Sequence, residues 1–230
     1  MISLVYALVS SPPARLGVTG VGGERLRVIT VDRIGAVVGE VRRAPAPSVR
    51  NLRRYAAVIE SLALKVPAIL PARFGTAVPN PDEVTFILRS RRATFRERLR
   101  AVRARTQMTI RLLESESGDR SSPSRSTVTG RIRLRLGYGA TQGTQYLQRR
   151  REIGAMAGAV PQFEPIRAAV VRYIKDEQVE KRSGVVTINH LVPRTAVDRY
   201  RDALERAAEE NGVRLIVTGP FPPYAFADSW

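Results

Sequence analysis

The chain has no cysteine, one histidine and three lysines in 230 residues. Without cysteine there is no disulfide, no thiolate nucleophile and no cysteine-based metal site, which agrees with a reducing compartment. A lone histidine cannot build a multi-histidine zinc cluster. His190 sits in the apolar run VVTINHLV beside Asn189 and reads as an ordinary strand residue with no acid partner evident, so a serine triad is not expected. No G-x-S-x-G elbow and no Gly-Lys-Ser/Thr occurs. The glycines Gly17, Gly20, Gly22 and Gly23 have the wrong spacing for a dinucleotide fingerprint and precede a strand rather than a helix, so they read as turns. The carboxylate pairs Glu114/Glu116 and Glu209/Glu210 fall in a polar stretch and at a helix end, where solvated charge is the default. No catalytic residue, no cofactor and no metal is expected.

Long apolar runs are also missing. Glu60 and Lys65 interrupt the best candidate, Ala56 to Leu70, well short of the roughly 18–20 residues that cross a bilayer. The start, MISLVYALVSS, lacks a basic n-region and a small-x-small cleavage site, so it reads as a strand and the expected location is the cytoplasm. Aromatics are only 6% of the chain, and the candidate central strands QMTIRLL and VVTINHLV contain none to stack bases.

Apolar residues are plentiful, at 43%, enough for one large domain or two small ones. The formal charge is +17, and with only Lys65, Lys175 and Lys181 as lysines the basic residues are almost all arginine. Arginine forks onto phosphate and carboxylate, so one reading is an acidic partner or nucleic acid; the other is a merely solvated surface.

Ile2–Val9 reads as a strand, Ser10–Gly23 as loop, and 25–31 with 34–41 as a hairpin across Asp32-Arg33. Ser48 caps a helix whose buried stripe is Leu52, Tyr55, Ile59 and Leu62. After Pro67, AILPARFGTAVP is a short strand running into a turn. Asn80, Pro81 and Glu83 open one long helix with the stripe Val84, Leu88, Phe95, Leu99 and Val102 and a strongly basic opposite face. A boundary near Arg105 separates an N-terminal α+β domain, 1–105, from a C-terminal domain, 106–230, that contains a flexible polar insertion around 114–130.

In the second half the expected order is strand 107–113, helix within 145–174 broken at Val160-Pro161, a hairpin of 179–182 with 185–192, a helix from Thr195 with Asp198 as capping partner and Asn211-Gly212 as its end, and a strand 214–219. RIRLRLG, 131–137, is a further candidate hairpin arm. Strand-helix-strand-strand-helix-strand is the ferredoxin-like split βαβ pattern. The whole is α+β.

Two apolar-aromatic stretches remain, AILPARFGTAVPN and the closing TGPFPPYAF. Both resemble signature segments of the gas vesicle protein F/L family (GvpF/GvpL), a "PVLP-x-RFGT" segment and a terminal "TGPWPPYSF". The matches are Pro71, Arg73, Phe74, Gly75 and Thr76, then Thr218, Gly219, Pro220, Pro222, Pro223, Tyr224 and Phe226, and Phe221, where the family segment has tryptophan, joins them as a candidate partner-binding residue. Val58-Ile59-Glu60 stands for a "VLE"-like triplet, Tyr146-Leu147 with Arg149-Arg150 for "YL-x-x-R", and His190-Leu191-Val192 with Arg194 for "YLVDR". Departures are Tyr55 where a histidine is frequent, Gln107 for a glutamate, and Pro193 for an aspartate.

The resemblance implies an accessory protein for gas vesicle assembly with a two-domain fold whose second domain is a modified ferredoxin fold, located at the gas vesicle. Its partners would be the hydrophobic shell protein and other accessory gas vesicle proteins, with no membrane or small-molecule substrate. The alternative is an arginine-rich nucleic-acid-binding module. Within LPARFG, Arg73 is expected to meet a carboxylate or carbonyls in an apolar turn. Thr218-Gly219-Pro220 should end the last sheet, leaving Phe221, Tyr224 and Phe226 to cover apolar surface of the protein itself rather than wait as a free proline-rich ligand.

Overall fold

The computed structural model describes residues 1–13, 15–113, 160–182 and 185–227. The expected insertion around 114–130, the RIRLRLG arm, the 145–159 part of the helical stretch and the Ser183-Gly184 turn lie outside the described residues. The chain divides into two compact units: residues up to Gln107 together with those from Pro220 on, and Met108–Gly219. The expected single boundary near Arg105 therefore meets a second crossing, because the end of the chain belongs with its beginning.

The first unit is built on strands β1 (Ile2–Ser10), β2 (Leu26–Val31), β3 (Ile34–Val41) and β4 (Ala68–Pro71), ordered β2-β3-β1-β4, with the short β5 (Ala77–Val78) also pairing β1. Strand β1 is central and buried along almost its whole length. An unbroken apolar run is what a strand covered on both faces needs. Its pairing with β3 shifts register between Val5 and Ala7, a bulge centred on Tyr6. The β2–β3 hairpin closes through Asp32, whose φ of 53° is left-handed, a conformation that aspartate tolerates better than most residues.

Helix α1 (Val49–Ala63) starts where Ser48 accepts the Asn51 N–H at 3.2 Å. Its buried residues are Tyr55, Val58, Ile59 and Leu62. Leu52, expected in that stripe, is 46% exposed. At about 100° per residue the observed stripe is centred roughly 70° round the helix from Leu52, and Val58 takes the place assigned to it.

The long helix expected after Asn80 is two helices, α2 (Pro81–Ser90) and α3 (Arg92–Ala101). Asn80 caps α2 by accepting the Glu83 N–H at 2.9 Å. The break has a local cause: the Ser90 hydroxyl donates to Ile87 O at 3.2 Å, the same carbonyl that receives the Arg91 N–H, and Arg91 leaves helical geometry at φ −108°, ψ 18°. Across the break the expected stripe holds, with Val84, Leu88, Phe95, Leu99 and Val102 all buried.

The second unit carries β6 (Arg105–Leu113), α4 (Glu164–Val170) flanked by 3₁₀ turns, β7 (Asp176–Arg182), β8 (Val185–Pro193), α5 (Val197–Glu210) and β9 (Leu215–Phe221). The sheet order β7-β8-β6-β9 is the ferredoxin-like arrangement. The two flanking helices pack Ile166, Val170, Tyr200, Leu204 and Ala207 into a core with Met108, Ile110, Ile188 and Val192. Asp198 does not cap α5; a 3₁₀ turn, Arg194–Ala196, leads in and no side chain caps the N-terminus. The C-terminal end follows expectation. Gly212 is left-handed at φ 62°, and the N–H groups of Gly212 and Val213 return to Glu209 and Ala208 carbonyls, a Schellman ending.

Strand β9 also runs further than expected, through Pro220 to Phe221. It is an edge strand, where proline's missing N–H need not break a ladder.

Candidate functional site

The AILPARFGTAVPN segment and the tail from Pro220 on belong to the first unit, while Thr218 and Gly219 close the second. After β4 the chain turns at Ala72–Thr76: the Thr76 N–H donates to Arg73 O at 3.0 Å, and Gly75 sits at φ 82°, where a side chain would be strained. The turn is tied to β1 at both ends. Ala72 N–H donates to Tyr6 O at 2.8 Å, and Thr76 O accepts the Val5 N–H at 2.8 Å.

Tyr55, reaching from α1, completes the tie. Its hydroxyl stands 2.9 Å from Tyr6 O and 2.6 Å from Ala72 O, so one buried donor spans strand and turn. Its ring stacks on Tyr6 at 5.4 Å and meets Phe74 edge-on at 5.5 Å. Beyond it the Tyr6 hydroxyl donates to the Glu24 carboxylate and accepts the Val21 N–H at 2.8 Å. Glu24 also accepts the Gly22 N–H at 2.9 Å, so the glycine-rich loop closes on a carboxylate of its own. Burial pushes both Tyr6 and Tyr55 phenols well above their ordinary value.

The tail is held by the start of β6. Thr106 Oγ1 donates to Phe221 O at 2.7 Å, and Gln107 Oε1 accepts the Ala225 N–H at 2.8 Å. Pro222, Pro223 and Phe226 are buried, Phe221 is half-buried, Pro220 is exposed, and Tyr224 is 37% exposed. Burial, with the α1 carboxylate Glu60 beside it, raises the Tyr224 phenol. Tyr224 in turn acts on Tyr55, so α1 lies next to both segments.

Arg73 departs from expectation. Its side chain is exposed, and among the described residues it has no hydrogen bond or ion pair. The turn closes through backbone groups of Ala72, Arg73 and Thr76 without the Arg73 side chain, which leaves the guanidinium in solvent. Phe74, Gly75 and Thr76 are half-buried.

In the second unit His190 does have an acid partner, which no local pattern signalled because Glu177 lies on the neighbouring strand. Its Nε2 is 2.8 Å from Glu177 Oε2 and its Nδ1 is 2.7 Å from the Tyr200 hydroxyl, with 0% of the residue exposed. Arg167 holds the other side of Glu177 at 3.1 Å. Burial lowers the histidine below its ordinary value; burial opposes ionisation of Glu177, but the hydrogen bonds and charge of His190 and Arg167 keep its carboxyl lower still. An ionised carboxylate can only accept, so Nε2 carries the imidazole proton, Nδ1 accepts, and Tyr200 donates. The chain Arg167–Glu177–His190–Tyr200 is thus closed on itself, with no nucleophile in it.

Among the described residues no group of three or more histidine, aspartate and glutamate side chains is placed to hold a metal, and no helix is long and apolar enough to cross a membrane.

The family model described as gas vesicle synthesis protein GvpL/GvpF matches residues 3–228. Gas vesicle protein F of a Streptomyces species is 26% identical over 242 residues, covering 99% of this chain and 100% of that protein. Gas vesicle protein L2 of Halobacterium salinarum is 26% identical over 251 residues, covering 97% and 90%. The crystal structure of GvpF from Anabaena superposes with a TM-score of 0.73 at 14% identity, covering 100% of this chain and 97% of that one. That of GvpF from Microcystis aeruginosa gives 0.71 at 14%, covering 99% of each. The structural matches establish the two-domain α+β fold.

Proposed function

The chain belongs to the GvpL/GvpF family of gas vesicle synthesis proteins, and from that membership we propose that it is a non-catalytic accessory factor in gas vesicle assembly, acting at the vesicle in the cytoplasm. It binds the hydrophobic shell protein, other accessory gas vesicle proteins, or both. The match across residues 3–228 carries the reading. The geometry of the described residues supports it: His190, Glu177, Tyr200 and Tyr55 are buried and hydrogen-bonded within the protein, which favours surfaces as the means of action. A wall of apolar subunits needs a factor that keeps nascent subunits from pairing wrongly, and such a factor works by binding.

Arg73 is the family-motif side chain best placed for contact, being exposed and free of internal partners among the described residues. Phe74, Gly75, Thr76 and the tail residues Pro220 to Phe226 support its presentation. Deleting the gene and inspecting cells by electron microscopy tests the role: absent or malformed vesicles are expected, and normal vesicles refute it. A pull-down against each purified gas vesicle protein then identifies the partner.

A further inference from the structure

A second surface of the first unit matches neither family segment. Where β3 ends, an open groove of about 620 Å³ is walled by Leu4, Val41, Ala44, Pro45 and Ala46, with Arg42 and Arg43 at its rim. Strand β2 pairs with β3 only as far as Leu26 opposite Gly39, whereas β1 follows β3 to Val41, so β3 outruns its neighbour on the groove side. Asn51 of α1 also lines the groove. On the same helix Val49 and Leu52 are 66% and 46% exposed, three residues apart and so on one face, which at about 100° per residue turns from Asn51 toward solvent. Apolar side chains of this size left in water on a helix that borders an apolar groove mark a contact surface rather than a core.

The unpaired charge around them is of one sign. Arg42, Arg43, Arg50 and Arg53 are exposed, and among the described residues none has an ion-pair or hydrogen-bond partner for its side chain. The first turn of α1 holds no acidic residue. Among the described residues the one carboxylate lining the groove, Glu24, is occupied by the Tyr6 hydroxyl and the Gly22 N–H.

We infer that this groove and the first two turns of α1 form a docking surface for an acidic polypeptide segment carrying apolar side chains, contributed by a protein partner. Four unpaired arginines call for carboxylates, and the apolar walls with Val49 and Leu52 call for aliphatic side chains interleaved with them. A nucleic acid satisfies only the first demand, since among the described residues the groove lining has no aromatic on which bases could stack. The inference rests on the assembly role and specifies the chemistry of one partner in it.

The test uses the full-length protein and a fluorescent synthetic peptide with leucines at every third or fourth position among glutamates. Its controls are a leucine-free glutamate peptide, a mixed-sequence DNA oligonucleotide and phosphatidylglycerol vesicles. At about 150 mM salt, where exposed charges more than ~8 Å apart are screened, the leucine-glutamate peptide should bind the protein best. Combined Arg42→Glu, Arg43→Glu, Arg50→Glu and Arg53→Glu reversal should weaken it by roughly tenfold or more, and Leu52→Ser alone by several-fold, on the scale of interface hot spots. Melting temperatures within a degree or two of wild type show that each variant is folded. Equal binding by all variants overturns the inference. So does preferred binding of the DNA or the vesicles with the same arginine dependence and no effect of Leu52→Ser. Returning the fourfold variant to a deletion strain separates the two readings. Normal vesicles in the deletion strain itself defeat the assembly role, whereas vesicles lost on deletion but restored by the variant defeat only this surface.

Discussion

Removing one oxygen, Tyr55→Phe, tests whether the family-motif turn is clamped by the α1 tyrosine. The ring stays, so its stack on Tyr6 and its edge contact with Phe74 are kept. The hydroxyl's bonds at 2.9 Å and 2.6 Å are lost. Tyr6 O retains the Ala72 N–H as a partner, so the uncompensated group is the buried Ala72 O. A net hydrogen bond contributes about 0.5–1.5 kcal/mol and an orphaned buried acceptor costs about 1–3, so the expected loss is about 2 kcal/mol. Urea denaturation should show a lower midpoint at unchanged slope. Hydrogen exchange should quicken roughly thirtyfold in fragments spanning Tyr6 to Val9 and Ala72 to Thr76, since about 1.4 kcal/mol is tenfold. A change below about 0.5 kcal/mol, or faster exchange spread evenly over both units, refutes the clamp. Tyr55→Ala should cost about 3–5 kcal/mol, because the aromatic packing goes too.

The remaining predictions concern other parts of the molecule. His190 is held below its ordinary value of 6.5, so the unfolded chain takes up that proton first; stability is complete above 6.5 and falls as pH drops through it. Glu177, also lowered, contributes in the same direction at more acid pH. Because the chain has a single histidine, its imidazole resonance is unambiguous, and titration at or above 6.5 refutes the dominance of burial over the Glu177 contact. Gly20→Ala would place a Cβ 2.1 Å from a Glu24 carboxylate oxygen and 2.5 Å from the Tyr6 hydroxyl, so about 1–3 kcal/mol of stability should be lost in thermal melts. Arg73→Ala should leave stability within about 0.5 kcal/mol, since the side chain is solvent-exposed, while weakening capture of gas vesicle proteins in a pull-down; a large fall in melting temperature would instead reveal a structural contact.

Much of the fold follows from local chemistry. Ser48 and Asn80 are caps because a short polar oxygen satisfies an orphan N–H, and Asn211-Gly212 ends a helix because glycine enters the left-handed region without strain. The strand-helix-strand-strand-helix-strand order in the second half was readable as ferredoxin-like because each element has its own period or turn signal. Local rules misled where two of them compete. The apolar spacing from Val84 to Val102 suits one helix, yet the Ser90 hydroxyl draws on the same carbonyl as the backbone and splits it. Leu52 fits the period of α1 but stands at the flank of the stripe that the sheet covers.

Thus the sequence alone determined most of the elements, the family and the class of fold, because caps, periods and motif residues act over a few positions. Only the tertiary structure decided which distant groups meet. It set Glu177 against His190 across a strand pair, placed Tyr55 between Tyr6 and Ala72, and returned the closing PFPPYAF to the unit in which the chain begins. Those pairings depend on register, on a bulge at Tyr6 and on which face of a helix a sheet covers. Each is a long-range outcome of packing, and none has a signature within a short window of residues.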